Sequence, residues 1–232
     1  MGVFKIEYFY SWKGGHADFE LDFDEDTIAF LNEPPAEIPN WAKLSYCKCP
    51  NCPLSTKDVE YCPTAVGLIP IIEGFMTIDS SDDVEVQANV ANRRIIMKGP
   101  ARLAISSVVG LIFAGAGCPH TTYFRPMVRY HIPLSSENET IIRAMSMYLL
   151  AQYFAHKTGE SPDMDLIGLQ KIYDEVQIVN MAMAERLRSA EGASPSVNSV
   201  ILLDMYTKMI PREIDNSLKE LEYLFKSFKT KI

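Results

Sequence analysis

The chain has 232 residues, 47% of them hydrophobic, with a formal net charge of −8 and a pI of about 5.1. That length supports one large hydrophobic core or two small ones. The acidic balance, with Arg93-Arg94 as the longest basic cluster in the body of the chain, argues against nonspecific binding to nucleic acid or to an anionic membrane.

The N-terminus, Met1-Gly2-Val3-Phe4-Lys5-Ile6-Glu7, has no apolar signal region, and the most apolar stretch, Leu103 to Ala116, is too short to span a bilayer. Both observations point to a soluble, cytoplasmic protein of bacterial type. In a reducing compartment, clustered cysteines more often bind metal or do chemistry than form disulfides.

In chain order, Phe4, Ile6, Tyr8 and Tyr10 share one face of a strand, Lys13-Gly14-Gly15 marks a turn, and Phe19, Leu21 and Phe23 alternate again, which predicts a β-hairpin. Asp22, Asp24, Glu25 and Asp26 close it. Pro34-Pro35 and Pro39 then break regular structure. A proline-rich loop from about residue 32 to residue 62 carries four of the five cysteines. Residues 63–76 fit a short helix opened by Pro63 and interrupted at Gly67 and Pro70. Asp83 to Val90 alternates as a strand, Asn92 marks a turn, and Arg94 to Met97 complete a second hairpin.

From Pro100 the period becomes helical. Leu103, Val108, Leu111 and Ile112 mark one helix, which Gly115 and Gly117 stop. After an irregular stretch from Cys118 to Leu134, Ser136 and Glu139 form a capping box for a helix to about His156. Ile141, Ile142, Met145, Met147, Tyr148, Leu149, Leu150 and Phe154 make it apolar nearly all round, which predicts a central buried helix. Ser161-Pro162 opens the next, with a stripe of Leu169, Ile172, Val176, Val179, Met183 and Leu187. A loop at 191–195 and two helices, Pro195 to Ile210 and Pro211 to Phe228, complete the pattern. The expectation is an α+β chain, with an N-terminal antiparallel β-rich unit of two hairpins over 1–99 and a helical unit of about five helices over 100–232.

The cysteines fall at Cys47, Cys49, Cys52, Cys62 and Cys118. Thiolates are soft ligands for zinc and iron–sulfur clusters, and a C-x2-C turn lets two of them converge on one ion. Four of the five precede proline: Cys49-Pro50, Cys52-Pro53, Cys62-Pro63 and Cys118-Pro119. With proline at about 5% of residues, fewer than one such pair is expected among five cysteines. Proline stiffens the loop and removes an N–H beside the sulfur. The pattern selects Cys49, Cys52, Cys62 and Cys118 as metal ligands, with Cys47 and His120 as candidate neighbours; His120 could also orient a thiolate. Reduced buried cysteines without a ligand, and disulfides, are the plainer alternatives. Four thiolates suit zinc and equally suit a [4Fe–4S] cluster; the proline pattern and the long gap to Gly117-Cys118-Pro119 lean toward iron–sulfur, and zinc is ranked slightly first on its frequency in soluble loops.

Arg125, Arg129 and His131 follow the last cysteine, and Arg143 lies on the next helix. They could form a pocket for a carboxylate or phosphate. The preferred reading is simpler, with Arg125 and Arg129 pairing with acidic residues between the two units. No Ser-His-Asp order, glycine-rich phosphate loop or His-Glu-x-x-His is present.

The segments Cys49-Pro50-Asn51-Cys52-Pro53-Leu54, Cys62-Pro63, Gly117-Cys118-Pro119-His120-Thr121, Arg125-Pro126-Met127 and Ser146 to Phe154 resemble an uncharacterised bacterial family, a domain of unknown function. The resemblance extends over most of the chain, including the first hairpin and Ser196-Val197-Asn198. It implies a cytosolic bacterial protein, leaves Cys47 outside the pattern, and brings no activity. Three functions stay open: a metal-binding protein with a closed site and a helical surface for a protein partner or a second copy, an iron–sulfur electron carrier, and an enzyme using the Arg125/Arg129/His131 pocket.

Overall fold

The computed structural model describes residues 2–79, 81–189 and 221–229. The expected loop at 191–195, the helix from Pro195 to Ile210, most of the helix from Pro211 to Phe228, and Ser196-Val197-Asn198 lie outside them.

Four antiparallel strands form one sheet in the order β2-β1-β3-β4. β1 (Val3–Trp12) and β2 (Gly15–Asp24) form the first hairpin, and β3 (Asp83–Val90) and β4 (Arg93–Pro100) the second. β1 joins the hairpins, pairing Tyr8 with Phe19 on one side and with Ala88 on the other. The alternation expected from sequence decides which face is buried. Ile6, Tyr8, Tyr10, Leu21, Phe23, Val84, Val86, Ala88 and Val90 point into the core. Lys5, Glu20 and Glu85 are exposed. β4 is an edge strand, and Arg93, Arg94 and Lys98 keep it charged and exposed.

α1 (Pro63–Gly74) falls between the hairpins, with Pro63 in its first turn and Pro70 inside it. α2 (Ala101–Gly115) follows β4 directly. The two helices touch closely: a Cβ on Gly67 would stand 2.8 Å from Cγ2 of Ile112. α3 (Arg125–Arg129) is a single short turn. α4 (Glu137–Lys157) carries the expected capping box, since Ser136 Oγ accepts from the Glu139 N–H and the Glu139 carboxylate accepts from the Ser136 N–H. α5 (Ile167–Ser189) is the last long helix described, and a short helix, α6 (Lys226–Lys229), lies near the C-terminus. The chain is therefore α+β, as its patterning implied.

Two local expectations need correction. The central helix is α2, where Ala104, Ile105, Val108, Val109 and Ile112 are wholly buried. Among its described side chains α4 buries only Ile141, Ala144 and Met145, one i, i+3, i+4 stripe in its first half, and leaves Tyr153 52% and Phe154 59% exposed. An all-round apolar pattern cannot by itself say which helix meets the sheet. α5 begins at Ile167, not at Ser161-Pro162. Asp163 sets that start: its carboxylate accepts from the Gly168 N–H (2.6 Å) and from the Tyr148 hydroxyl (2.8 Å), tying the helix entry to α4.

One buried cluster draws on β1–β3, α1, α2 and the second half of α5, where Val179, Met183, Ala184 and Leu187 join it. A smaller cluster joins Ile141, Ala144 and Met145 of α4 to Leu169 and Tyr173 of α5. Among the described residues no helix is long and apolar enough to cross a membrane.

Candidate functional site

The loop between β2 and α1 is held by few regular elements, so its side chains and backbone fix it point by point. Cys52 N–H donates to the Cys49 carbonyl (3.0 Å), which closes the C-x2-C segment into a tight turn. The loop is then docked on α5. Asn51 Nδ2 donates to the Glu175 carbonyl (3.0 Å) and carboxylate (2.7 Å). Cys62 sits immediately before α1 as its N-cap residue, and its N–H donates to the Ala42 carbonyl (2.8 Å). Cys118 follows Gly117, whose φ of 97° is a conformation that favours glycine, and the Thr121 N–H closes a turn on the Cys118 carbonyl (3.0 Å).

These turns carry Cys49, Cys52, Cys62 and Cys118 to the wall of one small cavity of about 20 Å³, closed by Leu44, Leu54, Val179 and Met183. All five cysteines are free thiols. Burial pushes the Cys49 thiol up to about 12; the thiols of Cys62, Cys118 and Cys52 push it the same way, and the Arg186 guanidinium opposes them. Burial also raises Cys118, against the backbone N–H of His120 and the hydroxyl of Thr121. Both shifts describe neutral thiols sharing a dry site. Cys47, at φ 43°, is not among the residues lining the cavity. Among the described residues, no three His, Cys, Asp or Glu side chains already stand in an arrangement suited to a metal ion. The four thiols share a cavity without meeting at one point.

His120 lines the same cavity, but its ring nitrogens have other partners. Nε2 donates to the Asn51 carbonyl (2.8 Å), and Nδ1 faces the Glu175 carboxylate at 3.7 Å. Its contacts fix the Cys49–Cys52 turn against α5.

Two groups at this site were not singled out by sequence. Arg186 of α5 lines the cavity and is only 1% exposed. Its Nη1 donates to the carbonyls of Trp41 and of Lys43 (2.7 Å), and Nη2 reaches the Cys47 carbonyl at 3.5 Å. Among the described residues it forms no salt bridge, so its charge is met by carbonyl dipoles. Thr64, in the first turn of α1, is also 1% exposed, lines the cavity, and has a buried hydroxyl without a hydrogen-bond partner among the described residues. A hydroxyl donor and a guanidinium suit an anionic sulfur cluster of ligands.

The Arg125/Arg129/His131 group is dispersed. Arg129 is exposed and stacks its guanidinium over the Phe4 ring at 4.6 Å. His131 is buried, pairs through Nε2 with the Tyr8 hydroxyl, and lines a larger, separate cavity that also meets α5 at Tyr173, Val176 and Asn180. Arg125 is half-buried, with no partner at Nε among the described residues, and lines neither cavity. Among the described residues neither arginine forms a salt bridge.

The chain belongs to the family described as Domain of unknown function (DUF6901), whose model matches residues 6–226. No curated protein and no solved structure matches it.

Proposed function

We propose that this family member is a cytoplasmic metal-binding protein in which Cys49, Cys52, Cys62 and Cys118 hold one zinc ion, stapling the β-rich unit over 1–99 to the helical unit over 100–232. The observation that carries the reading is convergence. The four cysteines that precede proline come from three separate segments, and all four line one cavity beside a buried arginine.

Zinc rather than a [4Fe–4S] cluster is favoured by volume. About 20 Å³ is room for one water-sized sphere or one ion, whereas a cluster would have to push Leu44, Leu54 and Met183 apart. Four thiolates on a divalent ion carry a net charge of −2, which Arg186 and the Thr64 hydroxyl would offset. The thiols must draw together and release their protons as the metal enters, so assembly of the site is coupled to binding. Such a closed, four-thiolate site has no open position for substrate and acts structurally. The function then lies in the surface that it stiffens; Leu150, Tyr153 and Phe154 on α4 offer a face for a protein partner or a second copy.

The test is anaerobic purification with metal analysis of the wild type and of five single Cys→Ser variants. One zinc per chain is expected in a colourless protein, lost on substitution of Cys49, Cys52, Cys62 or Cys118 and retained in Cys47→Ser. A brown protein containing iron and sulfide would replace zinc by a cluster. Full metal content in all four ligand variants would overturn the reading.

A further inference from the structure

A second cavity, about 170 Å³, lies between α2, α3, α4 and α5. Leu103, Leu111, Phe113, Met127 and Val176 make its wall largely apolar. Gly110, in the middle of α2, also lines it, and among the described residues a Cβ built there meets nothing within 4 Å. Gly67 and Gly115, by contrast, are small because neighbours press on them: Ile112 at 2.8 Å and Phe23 at 2.6 Å. Among the described residues no neighbour gives Gly110 such a reason. Glycine is a poor residue for a helix interior, and an unfilled apolar cavity forgoes dispersion contacts. An alanine or leucine at this position would improve both. Where a sequence breaks a local rule with no packing gain, function is the usual cause.

The polar groups of the cavity point to a ligand class. Arg143 of α4 is half-buried and lines it. Its Nη2 donates to Ser135 Oγ (2.8 Å), while its buried Nε has no hydrogen-bond partner among the described residues. Among the described residues Arg143 forms no salt bridge. The hydroxyls of Ser135 and Thr140 stand beside it. His131, kept neutral by burial and by the charges of Arg143 and Arg93, is paired with Tyr8 and supplies no competing charge. A half-buried guanidinium at an apolar chamber, with the Glu139 carboxylate acting on it but not lining the cavity, suits a single carboxylate on a compact hydrocarbon body. An apolar cavity of about 150 Å³ takes a benzene ring, which sets the size.

We propose that this cavity binds a small apolar monocarboxylate, of the size of benzoate or a short-chain alkanoate, with its carboxylate on Arg143 and its hydrocarbon against Leu111, Met127 and Val176. The site is separate from the cysteine cavity and does not depend on a metal there.

Calorimetric titration with benzoate and with hexanoate tests it, with benzamide and hexanamide as uncharged counterparts. Saturable one-to-one binding of at least one acid is expected, with its amide at least about tenfold weaker. Arg143→Met should bring the acid down to the affinity of the amide. Gly110→Leu fills the open side of the helix; it should fold with a raised Tm and bind neither acid. No saturable binding of either acid by the wild type at millimolar concentration overturns the proposal. So does an amide that binds as tightly as its acid, or a folded Gly110→Leu variant with wild-type affinity.

Discussion

Replacing Arg186 by methionine separates the structural from the electrostatic work at the cysteine cavity. The side chain is 1% exposed, and two of its hydrogen bonds, to the Trp41 and Lys43 carbonyls, are short enough to count in full; the third, to Cys47 at 3.5 Å, is marginal. Charged hydrogen bonds contribute about 1.5–3 kcal/mol each, and methionine leaves both carbonyls buried without donors. Against this, the variant no longer has to desolvate a guanidinium, which returns a few kcal/mol. The expected net loss is about 2–4 kcal/mol, read as a lower urea midpoint at constant m-value. The same substitution should cost more in zinc-loaded protein than in stripped protein, by about 1 kcal/mol or more, because only the loaded site presents thiolates to Arg186. A loss under about 1 kcal/mol, or equal losses in the two forms, would refute the reasoning.

Three further outcomes follow from individual contacts. Gly67→Ala places a methyl 2.8 Å from Ile112 in the fully buried seam of α1 and α2, and should lower stability by about 1–3 kcal/mol in urea unfolding despite its better helix propensity. Ser136→Ala removes the capping box of α4 and should cost about 1 kcal/mol, with faster amide exchange confined to the first turn of that helix. Burial, then Arg143 and Arg93, hold His131 down to about 3, while an unfolded imidazole titrates near about 6.5. Between those values the unfolded chain binds the extra proton, so this residue's contribution is complete above pH 6.5 and falls by about 1.4 kcal/mol per unit as pH drops toward 3. His131→Gln should flatten that limb of the stability curve; an unchanged slope would show that His131 does not titrate on unfolding.

The sheet was legible because a half-buried antiparallel strand writes its period of two directly into the chain, as Ile6, Tyr8 and Tyr10 do against Lys5, Glu7 and Phe9. The four cysteines of the cavity were legible through a local covalent signal, proline at the next position. Arg186 was not. On the sequence it is one more basic residue in the last turns of a helix, and its role depends on carbonyls of Trp41 and Lys43 far away in the chain. The cavity beside Gly110 was hidden for the same reason, since a glycine within an apolar helix reads alike whether a neighbour presses on it or nothing does. The sequence leaves Arg129 open to an ion pair or an anion pocket, and cannot show that its guanidinium sits over Phe4 of the first strand. The start of α5 was misplaced because Asp163, not Ser161, supplies the carboxylate that receives its first N–H groups.

X-ray absorption at the metal edge of anaerobically purified protein tests the metal centre most directly. A zinc edge with four sulfur neighbours at about 2.3 Å is expected. A shell of oxygen and nitrogen, or protein that carries no metal after purification in zinc-supplemented medium, would contradict it.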